Sequence, residues 1–478
     1  MRVYNEDGVY SDNRIMTKYM YRGICACLIT LMCVFIFFLT WYEFASEHNN
    51  TGYLLGKGNL GMSVIIYTSL FTLAFYGLGG YKIGVNRRTG IISSQIVATI
   101  TVDIIQVFVS MAISGQFRFV FLLLGEYSVM AIMQIAACFA LTLPMSWLYQ
   151  SLFPPLQVLE IYGDHSNNLY EKINGRADKY HIARSIKYTE HDEESFRREI
   201  NRFDAVLIND IPSKIKNSIL KICFELDKRV YFTPKLSDII VRSSDNINLF
   251  DTPLYLCRNI GMPWYKRAVK RVFDVLLSLI VFIITLPVML ITAIAIKCED
   301  GGPVFFRQER VTMNGKRFDI LKFRSMIVDA EKDGKPHPAG VNDDRITKVG
   351  NFIRRIRIDE LPQVINILKG DMSIVGPRPE RWEHNEKYSQ EIPEFPFRLK
   401  VKGGLTGYAQ VYGKYNTSAL DKLKLDMMYI MNWSILLDVQ IIFETVKVLF
   451  KKESTEGFTG QTCVNKAHSQ SIKAVSIK

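Results

Sequence analysis

The sequence predicts an α-rich membrane protein in three parts: a four-helix transmembrane unit, a cytoplasmic α/β Rossmann-like domain, and a monotopic domain with a re-entrant membrane helix and amphipathic interfacial helices. Three observations predict this division. Long uncharged apolar stretches fill residues 1–150, and short apolar runs alternate with charged stretches in residues 151–262. A further apolar stretch lies near the start of residues 263–455, and residues 456–478 are expected to form a flexible tail.

Four transmembrane helices are predicted in the first part, at about residues 21–42, 60–81, 94–115 and 127–149. The first two cover uncharged runs of 20 and 24 residues. A helix needs about 20 apolar residues to cross a bilayer. The first run is too long for a signal peptide and is soon followed by the second, so we expect it to remain in the mature protein.

The distribution of charge predicts the orientation of this unit. Basic residues precede the first span and follow the second, whereas the loop between these spans carries two glutamates and one lysine. Positive charge accumulates in cytoplasmic loops, so both ends of the unit are expected in the cytoplasm. The formal net charge of +12 fits membrane lipid headgroups and phosphorylated substrates. Nucleic acid is not expected, because no recognition motif accompanies the charge.

The second part is predicted to form a parallel sheet with helices between its strands. The predicted strands are 158–162, 181–186, 205–208 and 230–232, and the predicted helices are 168–174, 193–202 and 213–226. A nucleotide site is not expected, because Gly163 is followed by Asp164, His165, Ser166 and Asn167 instead of further glycines. We therefore interpret this part as a spacer or regulatory domain.

An uncharged stretch of 22 residues at 275–296 is long enough to be a fifth span. Basic residues flank both of its ends, which disfavours a helix that places its ends on opposite faces. Pro287 cannot bond the carbonyl of Ile283, and Thr285 is close enough to help satisfy the exposed backbone. We predict a re-entrant helix at about 268–297 that enters and leaves the cytoplasmic face. A plain span with a proline kink is the alternative.

Two adjacent acidic residues, Asp359 and Glu360, follow a basic segment. Apolar residues recur there at the spacing of one helix face, at Val349, Phe352, Ile353 and Ile356. Such a helix suits a bilayer interface, or a soluble core on which it packs. The acid pair beside arginines is either an ion-pair network or a metal and phosphate site, and spacing alone leaves both open.

Four segments of the third part carry a resemblance to a known family. They are GGPVFFRQER (301–310), NGKRFDILKFRSM (314–326), DDRITKVGNFIRRIRIDELPQVINILKGDMSIVGPRPE (343–380) and GGLTGYAQVYG (403–413). In order and spacing they resemble the bacterial sugar transferase family, the polyprenyl-phosphate sugar-1-phosphate transferases or monotopic phosphoglycosyl transferases. The four predicted spans and the βαβ domain resemble the layout of its large members, which start exopolysaccharide, capsule or O-antigen repeat units.

The resemblance implies a reaction and a site. A hexose-1-phosphate would pass from a UDP-sugar to undecaprenyl phosphate in the bacterial inner membrane, with release of UMP. Asp359 would be the nucleophile and would hold the sugar phosphate covalently, while Glu360 would orient the site or manage a proton. The resemblance also implies Mg²⁺ near the pair, held by Asp359 with possible help from Glu360. A homo-oligomer is left open.

Five residues are expected to contact the substrate: Lys322, Arg324, Arg354, Arg378 and Gln410. Lys322 and Arg324 of KFRSM would form a cationic rim, and Arg378, between two prolines, is the best preorganised phosphate ligand. Arg354 would reach phosphate across a turn. Gln410 of the glycine-rich segment would contact the uridine or the sugar. Each cation also has a simpler interpretation as a surface ion pair.

Two positions depart from the family's common pattern. Gly403 stands where proline is common, and Thr312 stands where glycine is common. They leave the donor sugar open between glucose, galactose and an N-acetylated hexose. Two other functions stay open as well: a catalytically silent membrane scaffold or regulator of polysaccharide export, and a transporter, for which Asp103 and Glu126 are the acids in or near the spans.

Overall fold

The computed structural model describes residues 12–47, 57–114, 117–163, 169–257, 261–328, 330, 343–413 and 417–449. The chain divides into two units, Met1–Pro234 and Lys235–Lys478. The predicted tail and the turn at 164–167 lie outside the described residues.

Four long helices begin the first unit: α1 Asp12–Glu47, α2 Lys57–Leu78, α3 Arg88–Ser114 and α4 Val120–Leu152. α1 and α3 each pack against both α2 and α4. Asp103 is buried among them, and the Tyr67 hydroxyl lies 3.1 Å from its Oδ1 and 3.1 Å from Gln134 Oε1. Asp103 therefore makes a helix contact, whereas Glu126 is exposed.

A parallel four-stranded sheet completes the first unit, with the strand order β2-β1-β3-β4. Its elements are β1 Leu156–Tyr162, α5 Leu169–Asn174, β2 Tyr180–Lys187, α6 Glu193–Asn201, β3 Ala205–Asn209, α7 Ser213–Glu225 and β4 Arg229–Phe232. A Cβ at Gly163 would lie 2.0 Å from the carbonyl oxygen of Asp210. Glycine is needed there because the ends of β1 and β3 approach closely.

The second unit begins at Lys235, before the boundary predicted at residue 263. Ile239 is buried in the same apolar core as Met427 and Ile441, which places its helix in this unit. The helices are α8 Leu236–Arg242, α9 Trp264–Asp300, α10 Lys348–Arg355, α11 Gln363–Lys369, α12 Trp382–Glu391, α13 Tyr408–Tyr412, α14 Ala419–Met431 and α15 Ile435–Leu449. The strands are β5 Asp245–Leu249, β6 Thr252–Leu256, β7 Phe305–Val311, β8 Arg317–Phe323, β9 Ser373–Val375 and β10 Gly404–Thr406.

Helix α9 is continuous through Pro287. The described residues contain five helices long and apolar enough to cross a membrane, namely α1 to α4 and α9. The Thr285 hydroxyl donates to a backbone carbonyl of the helix, that of Val281, over 2.8 Å. Serine and threonine side chains in helices commonly donate to the carbonyl four residues earlier, and Thr285 does so here. Whether α9 is re-entrant stays a prediction.

Both halves of α9 pack on the same unit. In the first half, Lys270 Nζ lies 2.7 Å from Asp438 Oδ2, and Asp274 accepts from the Ser373 hydroxyl at 2.8 Å. In the second half, Ile296 belongs to an apolar cluster with Phe323. The opposite face is apolar and exposed, at residues such as Leu279, Ile283, Ile284, Leu290 and Ile291.

Candidate active site

The acid pair lies on a short turn that follows α10. Thr347 caps α10 by accepting from the N–H of Gly350 at 2.9 Å, and the helix ends at Arg355. Arg357 has a positive φ of 59°, which breaks the helix before the 3-10 turn Ile358–Glu360. On α10 itself, Ile353 is buried, whereas Phe352 is exposed. The predicted amphipathic helix therefore packs Ile353 and Val349 in an apolar cluster and leaves Phe352 exposed.

Glu360 is held by two cations. Lys322 Nζ donates to its Oε1 at 3.0 Å, and Arg378 Nη2 lies 3.4 Å from the same oxygen. The Glu360 side chain is only 16% exposed. Burial would raise its pKa, but Lys322 and Arg378 outweigh that effect and hold the pKa at about 2. Glu360 therefore stays ionised at any physiological pH.

Asp359 is in the opposite electrostatic situation. Within the described part of the chain, its carboxylate has no hydrogen bond or ion pair. Burial and then the neighbouring charge of Glu360 raise its pKa, against the opposing effects of Lys322, Arg354 and Arg357. A carboxylate that is poorly solvated and unpaired is more reactive toward an electrophile than one held in an ion pair.

The loop that carries Arg378 is held in place by a buried arginine, Arg398. Arg398 Nη2 donates to the backbone carbonyl of Arg378 at 2.9 Å. The same guanidinium pairs with Asp426 at 2.9 Å and approaches Glu380 at 3.7 Å. Because the Arg398 and Asp426 side chains are both nearly inaccessible, this network holds the backbone of Arg378 in place.

The three other expected substrate residues, Arg354, Arg324 and Gln410, differ in their relation to the acid pair. Arg354 acts on Asp359 through its charge. Arg324 instead forms an ion pair with Asp300 at the end of α9, because β8 ends at Phe323 and the chain turns away. Gln410 lies on α13, where its buried amide nitrogen finds no partner among the described residues, and no hydrogen bond joins it to the acid pair.

Arg310 belongs to the same cluster and was not among the expected substrate residues. Its guanidinium donates to the carbonyl of Pro379 at 3.2 Å, and its Nε has no partner among the described atoms. Burial and then the charge of Arg378 lower its pKa to about 10. The signal was available, since Arg310 ends the first segment that carries the family resemblance. Arg398 had no such signal, because its partners are distant in sequence.

The donor set fits a magnesium ion only in part. Mg²⁺ prefers one or two carboxylates together with substrate oxygens and water, and the unpaired Asp359 carboxylate meets that need. Glu360 Oε1 is already shared by Lys322 and Arg378, so Glu360 does not fit as a ligand through this oxygen. No group of three His, Cys, Asp or Glu residues suited to a metal occurs among the described residues.

Comparisons with known proteins cover mainly this unit. A family model described as bacterial sugar transferase matches residues 265–452. The UDP-glucose:undecaprenyl-phosphate glucose-1-phosphate transferase of Klebsiella pneumoniae is 36% identical over 311 residues, 63% of this chain and 60% of that protein. The enzyme of the same name from Caulobacter vibrioides is 38% identical over 229 residues, 46% of this chain and 85% of that protein.

A third relative is named for a different sugar. The UDP-N-acetylgalactosamine-undecaprenyl-phosphate N-acetylgalactosaminephosphotransferase of Aeromonas hydrophila is 44% identical over 184 residues, 38% of this chain and 43% of that protein. The chain thus spans 60% or less of the Klebsiella and Aeromonas proteins. Asp359, Glu360, Lys322, Arg378 and Arg310 all lie within the matched region.

Proposed function

We propose a function from one premise: the chain belongs to the bacterial sugar transferase family. It transfers a hexose-1-phosphate from a UDP-sugar to undecaprenyl phosphate and releases UMP. The observation that carries this proposal is the unpaired Asp359 carboxylate beside a Glu360 that is neutralised by Lys322 and Arg378. Such an arrangement offers a nucleophile and cationic groups for phosphate oxygens in one place.

The reaction has two balanced steps. A carboxylate oxygen of Asp359 attacks the sugar-bearing phosphorus, and the bond from that phosphorus to the bridging oxygen breaks, so that UMP leaves with the electron pair. A phosphate oxygen of undecaprenyl phosphate then attacks the same phosphorus and displaces the Asp359 carboxylate. The product is undecaprenyl-diphosphate-sugar, and Asp359 returns to its starting state. Splitting the transfer in this way avoids a direct encounter of two anionic substrates.

The neighbouring residues manage charge. Lys322 and Arg378 carry two positive charges and share one carboxylate of Glu360, so one positive charge remains for the phosphates. Glu360 is a positioning residue that fixes both cations through one oxygen. Mg²⁺, held by Asp359 and substrate oxygens, would supply further neutralisation of the phosphate charge. Arg310 adds a cation whose partly unpaired guanidinium lies next to the Arg378 loop.

The proposed topology places this chemistry at the cytoplasmic face of the bacterial inner membrane. α9 is proposed to be re-entrant because both of its halves contact the same unit, through Asp274 and Ile296, while its other face is apolar and exposed. A straight span would separate these two residues by about 33 Å along the helix, roughly the thickness of a bilayer core. The four N-terminal helices cross the membrane, and the Rossmann-like domain is cytoplasmic.

A natural cysteine tests the topology. Cys298 is exposed near the end of α9, so a variant that keeps only this cysteine reports the side on which the helix ends. We expect an impermeant maleimide to label it in inside-out vesicles only. The control is a single cysteine in the predicted external loop, Thr51→Cys, which should be labelled from the other side. External labelling of Cys298 would contradict the re-entrant proposal.

The activity is tested by UMP release from UDP-glucose, UDP-galactose and their N-acetylated forms, with mass spectrometry of the protein. The wild type should release UMP with at least one donor and gain the mass of a hexose phosphate when no lipid is present. Asp359→Asn should do neither, while the exposed matched control Asp344→Asn should behave as wild type. Activity in Asp359→Asn would refute the covalent step, and no release with any donor would favour the silent scaffold.

The resulting lipid-linked sugar has one chemical consequence. A diphosphate-linked hexose in the membrane is the starting point for adding further sugars, so we place this reaction at the first membrane step of exopolysaccharide, capsule or O-antigen synthesis. The relatives' names include both glucose and N-acetylgalactosamine, and the donor panel decides between these sugars for this chain.

A further inference from the structure

Three basic side chains meet in the first unit, far in sequence from the acid pair: Arg22, Arg176 and Lys179. Arg22 lies on α1 and donates to the Tyr149 hydroxyl at 3.0 Å. Arg176 and Lys179 lie in the segment between α5 and β2. Arg22 also donates to the carbonyl of Ile83 at 3.1 Å, two residues before the Val85 carbonyl that Arg176 reaches, and the backbone N–H of Lys179 donates to the carbonyl of Arg176 at 2.8 Å. We call these three residues the junction cluster.

The junction cluster joins the α/β domain to the membrane helices. Arg176 donates to the carbonyl of Val85, between α2 and α3, at 3.0 Å. Arg87 donates to the carbonyl of Gly175 at 2.9 Å. These two hydrogen bonds fix the segment that carries Lys179 against the ends of the long helices.

The positive charge of the junction cluster is only partly balanced. Arg176 pairs with Asp178 through two contacts of 2.9 and 3.0 Å. The Lys179 ammonium lies 5.0 Å from the Tyr180 ring centre, and within the described residues it has no hydrogen bond or ion pair. Burial, and then the Arg176 and Arg22 charges, lower the pKa of Lys179, against the effect of Tyr231. A half-buried cation repelled by its neighbours is stabilised by an added anion.

The position of the junction cluster points to the source of that anion. Arg22 is the last charged residue before the uncharged run of the first span, and Tyr149 lies near the end of α4. Lys18, one turn before Arg22, lies 5.4 Å from the ring centre of Phe153. Aromatic and basic side chains at the ends of apolar helices lie at the depth of lipid headgroups.

We propose that the junction cluster binds the phosphate group of an anionic membrane lipid on the cytoplasmic side. Lys179 and the unpaired donors of the two arginines supply the charge, and the lipid fixes the α/β domain at the membrane surface. A free phosphate has the same chemistry, but only a lipid presents it at this depth. This site takes no part in the reaction at Asp359, so its test is independent of the proposed function.

The test is native mass spectrometry of the full chain released from nanodiscs that contain phosphatidylcholine and phosphatidylglycerol. We expect the wild type to retain phosphatidylglycerol preferentially. Lys179→Gln should lower that preference about fivefold, as expected for one basic residue at a charged membrane surface. Lys179→Arg should keep it. The matched control is Lys221→Gln, an exposed lysine on α7, which should equal the wild type.

Two further measurements make the outcome decisive. Lys179 makes no side-chain hydrogen bond among the described residues, so Lys179→Gln should unfold at the wild-type temperature in phosphatidylcholine alone and release UMP at the wild-type rate. Equal lipid retention by Lys179→Gln and the wild type would overturn the proposal. Loss of the lipid from the wild type in inorganic phosphate, but not in chloride of equal ionic strength, would overturn it in favour of a soluble phosphate.

Discussion

Gly403 donates its backbone N–H to the hydroxyl of Thr312 over 3.0 Å, and the same hydroxyl donates to the carbonyl of Asp371 at 3.0 Å. Both partners are buried. They are also the two positions at which the family resemblance leads us to expect glycine and proline instead. Proline has no N–H and glycine has no hydroxyl, so the two departures satisfy each other.

This pairing predicts the effect of changing one partner alone. Thr312→Gly leaves a buried N–H without an acceptor and should cost about 1–3 kcal/mol of unfolding free energy. It should also slow UMP release, because Gly403 packs against Pro379, next to Arg378. Thr312→Ser keeps the hydroxyl and should stay close to wild type. Thermal unfolding and single-turnover rates measure both effects.

The double variant Thr312→Gly with Gly403→Pro completes a cycle. It removes donor and acceptor together and should recover part of the stability lost in Thr312→Gly, less the cost of the new Cβ, which would lie 3.0 Å from Pro379 Cβ. A double variant whose losses are simply the sum of the single losses would show that the two departures are independent.

The opposite states of Asp359 and Glu360 predict a pH dependence. In the proposed reaction the attacking carboxylate must be deprotonated, so kcat/KM should rise with pH through the raised pKa of Asp359. Glu360→Gln removes the negative neighbour and should move this acid limb to lower pH. Lys322→Gln removes a cation that lowers the pKa of Asp359 and should move it to higher pH. Rates of UMP release across pH decide; shifts of both variants in one direction would contradict the assignment.

The buried pair Lys270–Asp438 predicts a large stability effect. The two side chains are 9% and 1% exposed, and Asp438 also accepts from Trp433 Nε1 at 3.0 Å. Asp438→Asn removes the closer of the two carboxylates beside the buried Lys270 charge and leaves only Asp274, at 3.8 Å, so it should cost about 3 kcal/mol. The control is the half-exposed pair Arg317–Glu309, where Glu309→Gln should cost less than about 1 kcal/mol. Comparable losses from both variants in thermal unfolding would contradict this account.

Arg378 and Arg324 belong to two of the motifs that carry the family resemblance, and in the structure they pair with different carboxylates, Glu360 and Asp300. Arg378→Gln should raise KM for the UDP-sugar about 10-fold to 100-fold, because it removes the charged hydrogen bond proposed between Arg378 and a substrate phosphate. Arg324→Gln breaks the contact with Asp300 and should lower stability while KM stays within about threefold of wild type. A KM change for Arg324→Gln as large as that for Arg378→Gln would restore Arg324 to the substrate site.

Residue pattern alone could predict those parts of the fold that depend on local sequence. Strands β1 to β4 lie where alternating apolar runs predicted them, and α10 ends just before the acid pair. The contact between Lys322 and Glu360 could have been predicted, because both residues belong to motifs that carry the family resemblance. The opposite pKa shifts of Asp359 and Glu360 could not be predicted, because they depend on which of the two carboxylates Lys322 and Arg378 contact.

Other features depend on long-range packing, which no local pattern encodes. Nothing in the sequence distinguishes Arg398 from an exposed arginine. In the structure its side chain is buried, pairs with Asp426 and donates to the carbonyl of Arg378. Helix α8 follows the α/β domain along the chain, yet Ile239 completes the core of the second unit. The ion pair between Arg324 and Asp300 could not be predicted either, and the substrate role of Arg324 stays a prediction.

The double attachment of α9 has a consequence for how the proposed acceptor would be encountered. Both halves of the helix are attached to one unit, so a re-entrant α9 would hold the proposed nucleophile at a fixed height above the bilayer. The acceptor lipid then arrives by diffusion in a plane, while the donor arrives from the surrounding volume. Saturation by acceptor depends on its mole fraction in the membrane, so diluting vesicles of constant composition leaves the turnover of each enzyme molecule unchanged.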